Sequence, residues 1–502
     1  MRIVARMLSP SHQLVIGLDI GTAGVRAVAV NERGVVVARR DTALEHKTRS
    51  LAAGWHEQDP EAWWKATMAT LSGLRQKLEE HGHHGSAVVA LCVDGTSGTL
   101  VCTGSQGEVL RPAIMHNDQR AVEEAQALRS SAASTSSKLG YRMAPSFAAA
   151  KILWLQRHEP STFDATRWFA HQADFISGRL SGEYGITDYS NALKTGYDLV
   201  DECWPTWWRD FDGIEGRLPR VVAPGTQIGV LGATVADSLG FPCVAVVSGA
   251  TDGTAAFLSS GAREAGADNT TLGTTLVFKR LSRQPAAADD GLVYSHKLPG
   301  GFWLPGAASN TGGEWIQHNY GEADLGRLDI QSSERFLPCD HVAYPLVWVG
   351  ERFPFLDPDA RGFCHPETSD QVTRYAANLQ GTAFVERLCY QALDRATGTE
   401  GGDIYATGGA SRSDIWLQLR ADVTGRRIHR PHCAESAFGS AVMAASAVWH
   451  DDVWCAAREM VQVERSFEPD RSQFPEYEDR FLRFRELMEE RGYIQPEHGA
   501  NR

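Results

Sequence analysis

A short segment near the start of the chain combines residue types that could hold a phosphate group and a metal ion. The segment GLDIGTAGVRAVAV, Gly17 to Val30, is typical of a β-hairpin and places Asp19, Gly21 and Thr22 at its turn. Glycine allows backbone N–H groups to approach an anion closely, and a carboxylate can position Mg²⁺ through its water ligands. Glycine is also favoured in turns that only reverse the chain, because it tolerates positive φ. The segment alone leaves both interpretations open.

A second group of candidate residues lies about halfway along the chain. The segment PCVAVVSGATDGTAAFLSSGA, which starts at Pro242, predicts a strand, a glycine-rich turn that carries Asp252, and a helix. The segment DNTTLGTTLVFKRL, residues 268–281, places Gly273 beside threonine between apolar stretches, as the first hairpin does. Its glycine could alternatively mark a β-bulge. The repetition suggests two related domains that face a cleft.

Three further segments predict elements that would carry or support the remaining polar residues. AVVALCVDG, from Ala87, predicts a buried strand that delivers Asp94 to its carboxyl end. GDIYATGGASRSDIWLQLRADVTG, from Gly402, predicts a strand, a glycine-rich loop and an amphipathic helix that ends at Gly425. AESAFGSAVMAASAV predicts a helix of small residues that can pack closely on a neighbouring element.

The composition excludes several classes of partner. The net charge of −13 argues against nucleic acid and anionic membranes, since both are bound through a surplus of Lys and Arg. The nine cysteines show no CxxC pairs or zinc-ligand spacing, which favours reduced thiols in the cytoplasm over a disulfide framework. An uncharged apolar run of about 18 residues is absent, so we expect no membrane-spanning helix. Small-molecule ligands fit this composition best.

The common single-segment nucleotide motifs are also missing. The sequence contains no GxxxxGK[ST] phosphate loop and no HRD or DFG kinase signatures. A GxGxxG fingerprint on a strand-to-helix turn is absent too. A nucleoside triphosphate would therefore have to be held by separate glycine-containing turns from two domains.

Four segments together resemble the FGGY carbohydrate kinases, which belong to the actin-like and hexokinase-like superfamily. They are GLDIGTAG, SGATDGTAAF, TLGTTLVF and YATGGASRSDIWLQLRADVTG, and their order and spacing carry the resemblance from about Leu14 to about Val448. GWHEQDPEAWW, DQRA and KILW resemble family segments on the sugar side. The resemblance implies an α/β fold with two ribonuclease-H-like domains around a central cleft. We expect these domains over residues 14–245 and 246–448, followed by a helical tail over 449–502.

The resemblance also implies roles for individual residues, with ATP and Mg²⁺ as cofactors. Asp252 is the expected catalytic base, since it follows a predicted buried strand and Gly253 leaves room for a substrate. ATP contacts are implied for Gly21, Thr22, Gly273, Thr274, Thr275, Gly408, Gly409 and Ser413. Substrate contacts are implied for Asp19, Asp94, Ser97, Asp118, Arg120 and Asp252, and Asp19 would also direct the metal. The expected partners are a sugar and MgATP, and a homodimer is left open.

Several of these residues also have purely structural interpretations. Asp252 could cap the N-terminus of the helix that follows it. Asp94 and Ser97 could form local hydrogen bonds in a glycine-rich turn. Asp118 and Arg120 could form a surface ion pair. The sequence leaves these alternatives open.

Other segments resemble a narrower group, the D-ribulokinase branch of the family in cyanobacteria and plants. These segments are DGTSGT at Asp94, TDYSNALKTGY at Thr187, GLVYSHKL at Gly291, ASNTGG at Ala308 and GERFPFLDP at Gly350. The chain departs from many relatives at His116, where tryptophan is common, and at Ala410, where a third glycine is common. D-ribulose is the expected acceptor, and D-xylulose or another polyol is the alternative.

Two functions of other classes compete with a sugar kinase. An actin-like ATPase would use water as the acceptor and would need no polyol site. A catalytically silent sugar-binding regulator would need no base. The polar segments on the sugar side argue against the first function, and the presence of Asp252 argues against the second.

Overall fold

The computed structural model describes residues 12–45, 51–286, 291–321 and 323–496, which fold into strands and helices. The strands are β1 Leu14–Ile20, β2 Gly24–Asn31, β3 Val36–Ala43, β4 Glu57–Gln58, β5 Val88–Gly95, β6 Val101–Thr103, β7 Ala113–Ile114, β8 Trp168–Ala170, β9 Ile186–Asp188, β10 Arg220–Val222, β11 Gln227–Val230, β12 Ala245–Val247, β13 Asp268–Leu272, β14 Leu276–Arg280, β15 Tyr294–Leu298, β16 Phe302–Ser309, β17 Val342–Tyr344, β18 Phe363–His365, β19 Ile404–Thr407, β20 Ile428–Pro431 and β21 Val463–Phe467. The helices are α1 Pro60–Glu80, α2 Val122–Ser131, α3 Ala133–Leu139, α4 Ala148–His158, α5 Pro160–Ala165, α6 Gln172–Ser181, α7 Tyr189–Leu193, α8 Ala233–Leu239, α9 Asp252–Leu258, α10 Glu314–Tyr320, α11 Leu325–Arg335, α12 Gln371–Thr397, α13 Asp414–Thr424, α14 Ser436–Val448, α15 Val453–Met460 and α16 Phe474–Glu490.

The chain divides into two units that each contain one large sheet. The described residues of unit 1 lie within Met1–Arg263, His296–Trp303 and Cys433–Gln462. Those of unit 2 lie within Glu264–Ser295, Leu304–His432 and Val463–Arg502. This division differs from the boundary that we expected near residue 246, because α9 and α14 pack against unit 1. Residues 449–502, expected as a helical tail, contribute α15 to unit 1 and both β21 and α16 to unit 2.

The sheet of unit 1 has the strand order β11-β12-β5-β1-β2-β3. β1 runs antiparallel to β2 and parallel to β5, and β5 runs parallel to β12. Every residue of β1 is buried, because helices cover both faces of the sheet. Leu14, Ile16 and Leu18 pack in a core with Trp63 of α1. The side chains between them point to the opposite face, where α14 lies.

Glycines allow α14 to lie unusually close to its neighbours. A Cβ atom added at Gly17 of β1 would overlap the carbonyl oxygen of Ala437, and one added at Gly439 would overlap that of Ala255 in α9. The small residues of α14 therefore provide the close packing that the sequence predicts for this helix. One consequence is that the Ser440 side chain of α14 reaches the carboxyl end of β5.

The second large sheet has the strand order β15-β16-β14-β13-β19-β20-β21, and it belongs to unit 2 except for residues 296–298 of β15 and 302–303 of β16, which are grouped with unit 1. β13 and β14 form a hairpin, and β13 runs parallel to β19. The long helix α12 is buried along much of its length and packs in a core with residues of β14, α13 and α16. The β13–β14 turn and the segment after β19 lie next to each other at one end of this sheet.

Two further expectations concern membrane-spanning helices and disulfides. No helix among the described residues is both long and apolar enough to cross a membrane. All nine cysteines are free thiols, as the sequence predicts.

Candidate active site

Three carboxylates meet at the carboxyl ends of neighbouring strands in unit 1. Asp19 of β1 lies directly opposite Asp94 of β5 in the parallel ladder. Gly95 forms a parallel bridge with Thr251, so the next residue, Asp252, lies at the same edge of the sheet. Ligands of open α/β sheets bind outside the carboxyl ends of the strands. Residues far apart in the sequence are therefore brought together where such a fold places its chemistry.

Asp94 is the most deeply buried of the three and has no exposed surface. Burial raises the pKa of Asp94 well above its ordinary value, and the negative charges of Asp19 and Asp252 raise it further. The hydroxyl of Ser440, on α14, donates a hydrogen bond of 2.6 Å to Asp94 Oδ2 and opposes this shift. Asp94 Oδ1 has no hydrogen-bond partner among the described residues. Both burial and the two neighbouring carboxylates therefore shift the pKa of Asp94 in the direction that stabilises its neutral form.

Asp19 lies beside an open hairpin turn. Arg26, opposite it on β2, donates from Nη1 to Asp19 Oδ2 at 2.8 Å, and this hydrogen bond raises the pKa of Arg26. The N–H of Gly21 donates to the Gly24 carbonyl at 2.9 Å and closes the turn. Thr22, at the tip, is exposed, and its N–H donates to none of the other described residues. A backbone N–H next to a carboxylate could bind a phosphate oxygen while the carboxylate binds the metal ion that accompanies the phosphate.

Asp252 begins helix α9 and is half-buried. The N-cap is Thr251, so the interpretation of Asp252 as the capping residue is wrong by one position. Asp252 Oδ1 accepts the N–H of Gly253 at 2.6 Å. The N–H of Thr251 donates to the hydroxyl of Ser190 at 2.8 Å, which fixes the backbone just before Asp252.

The loop after β5 is held by buried polar side chains of two helices, α4 and α6. Thr96 donates from its N–H and from its hydroxyl to Gln172 Oε1, at 3.0 and 2.7 Å. Lys151 Nζ donates to the carbonyls of Gly98, Met115 and Ser146 at 2.7 to 3.0 Å. Burial lowers the pKa of Lys151 to about 7, although three carbonyl acceptors match the three N–H groups of an ammonium ion. The loop is therefore rigid at the point where it carries Ser97.

Three polar atoms around this loop have no hydrogen-bond partner among the described residues. They are Ser97 Oγ, His116 Nδ1 and Gln172 Nε2, and each is out of contact with solvent. His116 is half-buried, and burial lowers its pKa, as do the charges of Lys151 and Lys194. Buried polar groups are normally satisfied, so each unpaired atom requires an explanation. A ligand with several hydroxyl groups could supply the missing partners.

Asp118 and Arg120 form a buried pair, so the alternative of a surface ion pair is wrong. Arg120 donates from Nε and Nη2 to the two oxygens of Asp118 at 2.9 and 2.8 Å, and from Nη1 to Glu57 at 2.9 Å. Its guanidinium carbon lies 3.9 Å from the ring centroid of Trp55 and 4.9 Å from that of Trp154. Burial alone would raise the pKa of Asp118, but hydrogen bonds from Arg120 and the N–H of His56 lower it.

In unit 2, the turn between β13 and β14 contains Gly273, Thr274 and Thr275. The N–H of Gly273 donates to the Thr275 carbonyl at 3.0 Å, and the Gly273 carbonyl accepts the N–H of Gly313 at 2.8 Å. Gly408, after β19, has φ of +89°, and a Cβ there would overlap the carbonyl oxygen of Leu272. The turn and the glycine loop are therefore direct neighbours within this unit.

Gly409 and Ser413 differ in what surrounds them. A Cβ added at Gly409 would meet nothing within 4 Å, so this position faces open space. Ser413 caps helix α13 by accepting the N–H of Trp416 at 3.1 Å, and it donates to Asp329 Oδ2 at 2.6 Å. Tyr375 donates to the other oxygen of Asp329 at 2.8 Å. The Ser413 hydroxyl is thus engaged by its own unit.

Family models cover most of the chain. The N-terminal domain of the FGGY family of carbohydrate kinases matches residues 14–259, and its C-terminal domain matches residues 269–448. The chain belongs to the FGGY family of carbohydrate kinases.

Relatives of this FGGY kinase are similar over nearly their full length. Xylulose kinase of Escherichia coli K12 is 28% identical over 491 residues, which are 95% of this chain and 99% of that protein. A crystal structure of a xyloylose kinase from Brucella ovis matches with a TM-score of 0.86 at 27% identity and covers 96% and 99% of the two chains. A xylulose kinase from Rhodospirillum rubrum matches with a TM-score of 0.83 at 26% identity and covers 95% and 99%. The predicted α/β two-domain fold and the predicted family are confirmed, and the protein is a sugar kinase.

Sequence reasoning missed several residues of this FGGY kinase that hold the candidate site together. Arg26 could have been found, because it occupies the strand position opposite Asp19 in a short hairpin. Ser190 and Ser440 gave no signal, since each acts on a residue that is distant in the sequence. Asp329 lies 84 residues from Ser413 in a segment without a recognisable motif.

Proposed function

We propose that this FGGY kinase transfers the γ-phosphate of MgATP to the C5 hydroxyl of D-ribulose and so produces D-ribulose 5-phosphate. The observation that carries this proposal is the convergence of Asp19, Asp94 and Asp252 at the ends of three parallel strands of unit 1. Phosphoryl transfer to an alcohol needs little covalent chemistry from the protein. It needs positioned reactants, stabilised charge and a base for the hydroxyl proton.

Asp252 is the group that we assign as the base. Its carboxylate is half-buried at the end of the sheet, and the Thr251–Ser190 hydrogen bond fixes its backbone. Asp94 has no exposed surface, and its Oδ2 already accepts the hydroxyl of Ser440, so it is less accessible to a substrate hydroxyl than Asp252. The different environments of Asp252 and Asp94 therefore give the two carboxyl groups different roles, with Asp252 as the base.

Asp19 is the residue that we assign to the metal. Mg²⁺ prefers oxygen ligands and keeps several waters, so one carboxylate plus phosphate oxygens suffices to hold it. The described residues contain no group of three side chains that could ligate a metal by themselves. Bound Mg²⁺ would neutralise charge on the transferred phosphate. The exposed amide at Thr22 and the backbone of Gly21 would contact phosphate oxygens beside it.

The residues of unit 2 that we assign to ATP binding lie in the β13–β14 turn and in the segment between β19 and α13. Gly408 allows the loop after β19 to pack against β13, and Gly409 faces open space into which a ligand can approach. Ser413 would act by fixing the end of this loop, because its hydroxyl caps α13 and donates to Asp329 and is therefore not available to the nucleotide. The full set proposed for ATP in this unit is Gly273, Thr274, Thr275, Gly408, Gly409 and Ser413.

Sugar recognition is assigned to the loop after β5. Ser97 Oγ has no partner among the described residues, and a pentulose hydroxyl could both donate to it and accept from it. Asp118 and Arg120 are paired with each other. We therefore propose that they position the segments that bind the sugar and take no direct part in phosphoryl transfer. A buried polar group left without a partner costs about 1–3 kcal/mol, which a well-matched sugar would relieve.

The choice of D-ribulose rests on the branch-like segments DGTSGT, TDYSNALKTGY and GLVYSHKL. The first carries Ser97, and the second carries Ser190, which holds the backbone before Asp252. D-xylulose is the second candidate, because the relatives reported above are named xylulose kinases and are 26–28% identical. D-ribulose and D-xylulose differ only in the configuration at C3, so hydroxyl-specific hydrogen bonds must distinguish them.

Acceptor preference tests this assignment. We expect kcat/KM for D-ribulose to exceed that for D-xylulose, L-ribulose and glycerol by about 10²-fold, since polar sites discriminate strongly against a misplaced hydroxyl. A coupled assay of ADP formation with each acceptor at saturating MgATP measures the ratio. A clear preference for D-xylulose or glycerol would overturn the ribulose assignment while leaving the kinase assignment in place.

A further inference from the structure

Lys297 is a nearly buried lysine of unit 1 with a complete set of partners outside the groups assigned to catalysis. It is 9% exposed, and its Nζ donates to the Leu199 carbonyl at 2.8 Å and to Glu202 Oε1 at 2.5 Å. The ammonium also lies 5.5 Å from the ring centroid of Tyr189 and 5.2 Å from that of Trp303. An ammonium group that contacts a carboxylate and two aromatic rings is held firmly in one position.

Glu202 adopts a backbone conformation that its contacts must support. Its φ is +51°, and among the described residues it is the only non-glycine with positive φ. This conformation is sterically unfavourable for a residue with a Cβ atom and persists only where surrounding contacts hold it. The contacts here come from Lys297 and from the hydroxyl of Tyr189, which donates to Glu202 Oε2 at 3.3 Å. The hydrogen bond from Lys297 lowers the pKa of Glu202, as expected for an ionised partner.

Tyr189 connects this cluster to the backbone next to Asp252. It is the first residue of α7, and Asp188 caps that helix by accepting from Ser190 N–H and Oγ at 2.7 and 2.6 Å. The same Ser190 oxygen accepts the N–H of Thr251 at 2.8 Å. A continuous series of contacts therefore runs from the Lys297 ammonium through Tyr189 and Ser190 to the residue before Asp252.

We propose that Lys297 is a positioning residue for Asp252: with Glu202 it holds the start of α7, and Ser190 of α7 holds the Thr251–Asp252 backbone. This inference rests on the proposed function, in which Asp252 is the base. Lys297 touches neither substrate nor nucleotide in this account. Its loss therefore affects the rate of transfer more than the binding of either substrate.

The test compares Lys297→Met with Lys297→Arg and with a matched control. We expect Lys297→Met to lower kcat about tenfold with KM for both substrates changed less than about threefold, since small misplacements of a reacting group are costly. Lys297→Arg keeps the charge and should restore most of kcat. Lys138 provides the control, because it pairs with Asp198 and Asp201 of the same turn but has no contact with Tyr189. Lys138→Met should retain kcat within about twofold.

Two further measurements distinguish positioning from a general loss of structure. If Lys297 acts through Ser190, the kcat losses of Lys297→Met and Ser190→Ala are less than multiplicative in the double variant. Hydrogen exchange of the Thr251 amide should also be faster in Lys297→Met than in Lys138→Met. If Lys297→Met folds poorly, Glu202→Gln, which keeps the shape and removes the charge, should show the same kcat and exchange changes.

Three outcomes would overturn the inference. They are an unchanged kcat in Lys297→Met, strictly multiplicative losses in the double variant, or unchanged exchange at Thr251. Failure of the proposed function has a different signature, because the wild-type protein would then show no pentulose-stimulated ADP formation. Hydrogen exchange at the Thr251 amide does not depend on turnover. It therefore tests whether Lys297 holds this backbone even if the protein does not phosphorylate a pentulose.

Discussion

Asp252→Asn is expected to reduce phosphoryl transfer about 10³-fold while pentulose binding changes little. The carboxamide keeps the shape of the side chain but cannot accept the hydroxyl proton, and a positioned base contributes about 10²–10⁴-fold to such reactions. The N–H of Gly253 can still donate to the carboxamide oxygen, so the start of α9 should be preserved. Steady-state ADP formation and calorimetric pentulose binding measure the two effects separately.

Asp237→Asn is the matched control for this variant. Asp237 is an exposed carboxylate on α8 of the same unit, so the identical change there removes charge without touching the carboxylate cluster. We expect its kcat to stay within about twofold of the wild type, as is usual for surface positions. Near-native turnover by a correctly folded Asp252→Asn protein would show that Asp252 is not the base.

Asp19→Asn is expected to lower kcat/KM for MgATP by about 10–100-fold, the range typical for residues that orient a metal ion. The loss should be largest at limiting Mg²⁺ and partly recovered at high Mg²⁺, because the carboxylate acts on the metal rather than on the sugar. Initial rates over a matrix of Mg²⁺ and ATP concentrations give the dependence. KM for the pentulose should change little.

The control for Asp19 must account for Arg26, which loses an ion-pair partner in the variant. Asp41 is an exposed carboxylate of β3 that lies opposite Arg26 in the ladder and also raises the pKa of Arg26. Asp41→Asn therefore perturbs the same arginine without altering the turn at Gly21. If the two variants show equal Mg²⁺ dependence, the assignment of the metal to Asp19 is incorrect.

The parts of the site that the sequence predicted are those defined by short-range rules. The strand that carries Asp94 near its carboxyl end follows from a compact apolar run before Asp-Gly, and the turn after Asp19 follows from glycine between two strand segments. Strand register then places these carboxylates side by side. The local sequence pattern and the geometry of a parallel sheet were together sufficient to predict that Asp19 and Asp94 lie near each other.

Other features depend on packing between distant segments and could not be predicted. The hydroxyl of Ser440 reaches Asp94 across 346 residues because Gly17 allows α14 to lie against β1. The same packing groups α14 with unit 1, although the sequence pattern places it in the second half of the chain. A surface ion pair was an open alternative for Asp118 and Arg120, but Glu57 and two tryptophan rings enclose the Arg120 guanidinium.

This protein is expected to use a pentulose as the phosphate acceptor, and ADP release with and without sugar tests this expectation most directly. With MgATP present, D-ribulose should increase the rate of ADP formation by about 10²-fold or more over the sugar-free rate, since water is a poorly positioned acceptor. Mass spectrometry should find a stoichiometric amount of pentulose phosphate. ADP formation at the same rate without any sugar would indicate an ATPase, and no ADP formation with any pentulose would indicate a protein that only binds; either result would contradict the account.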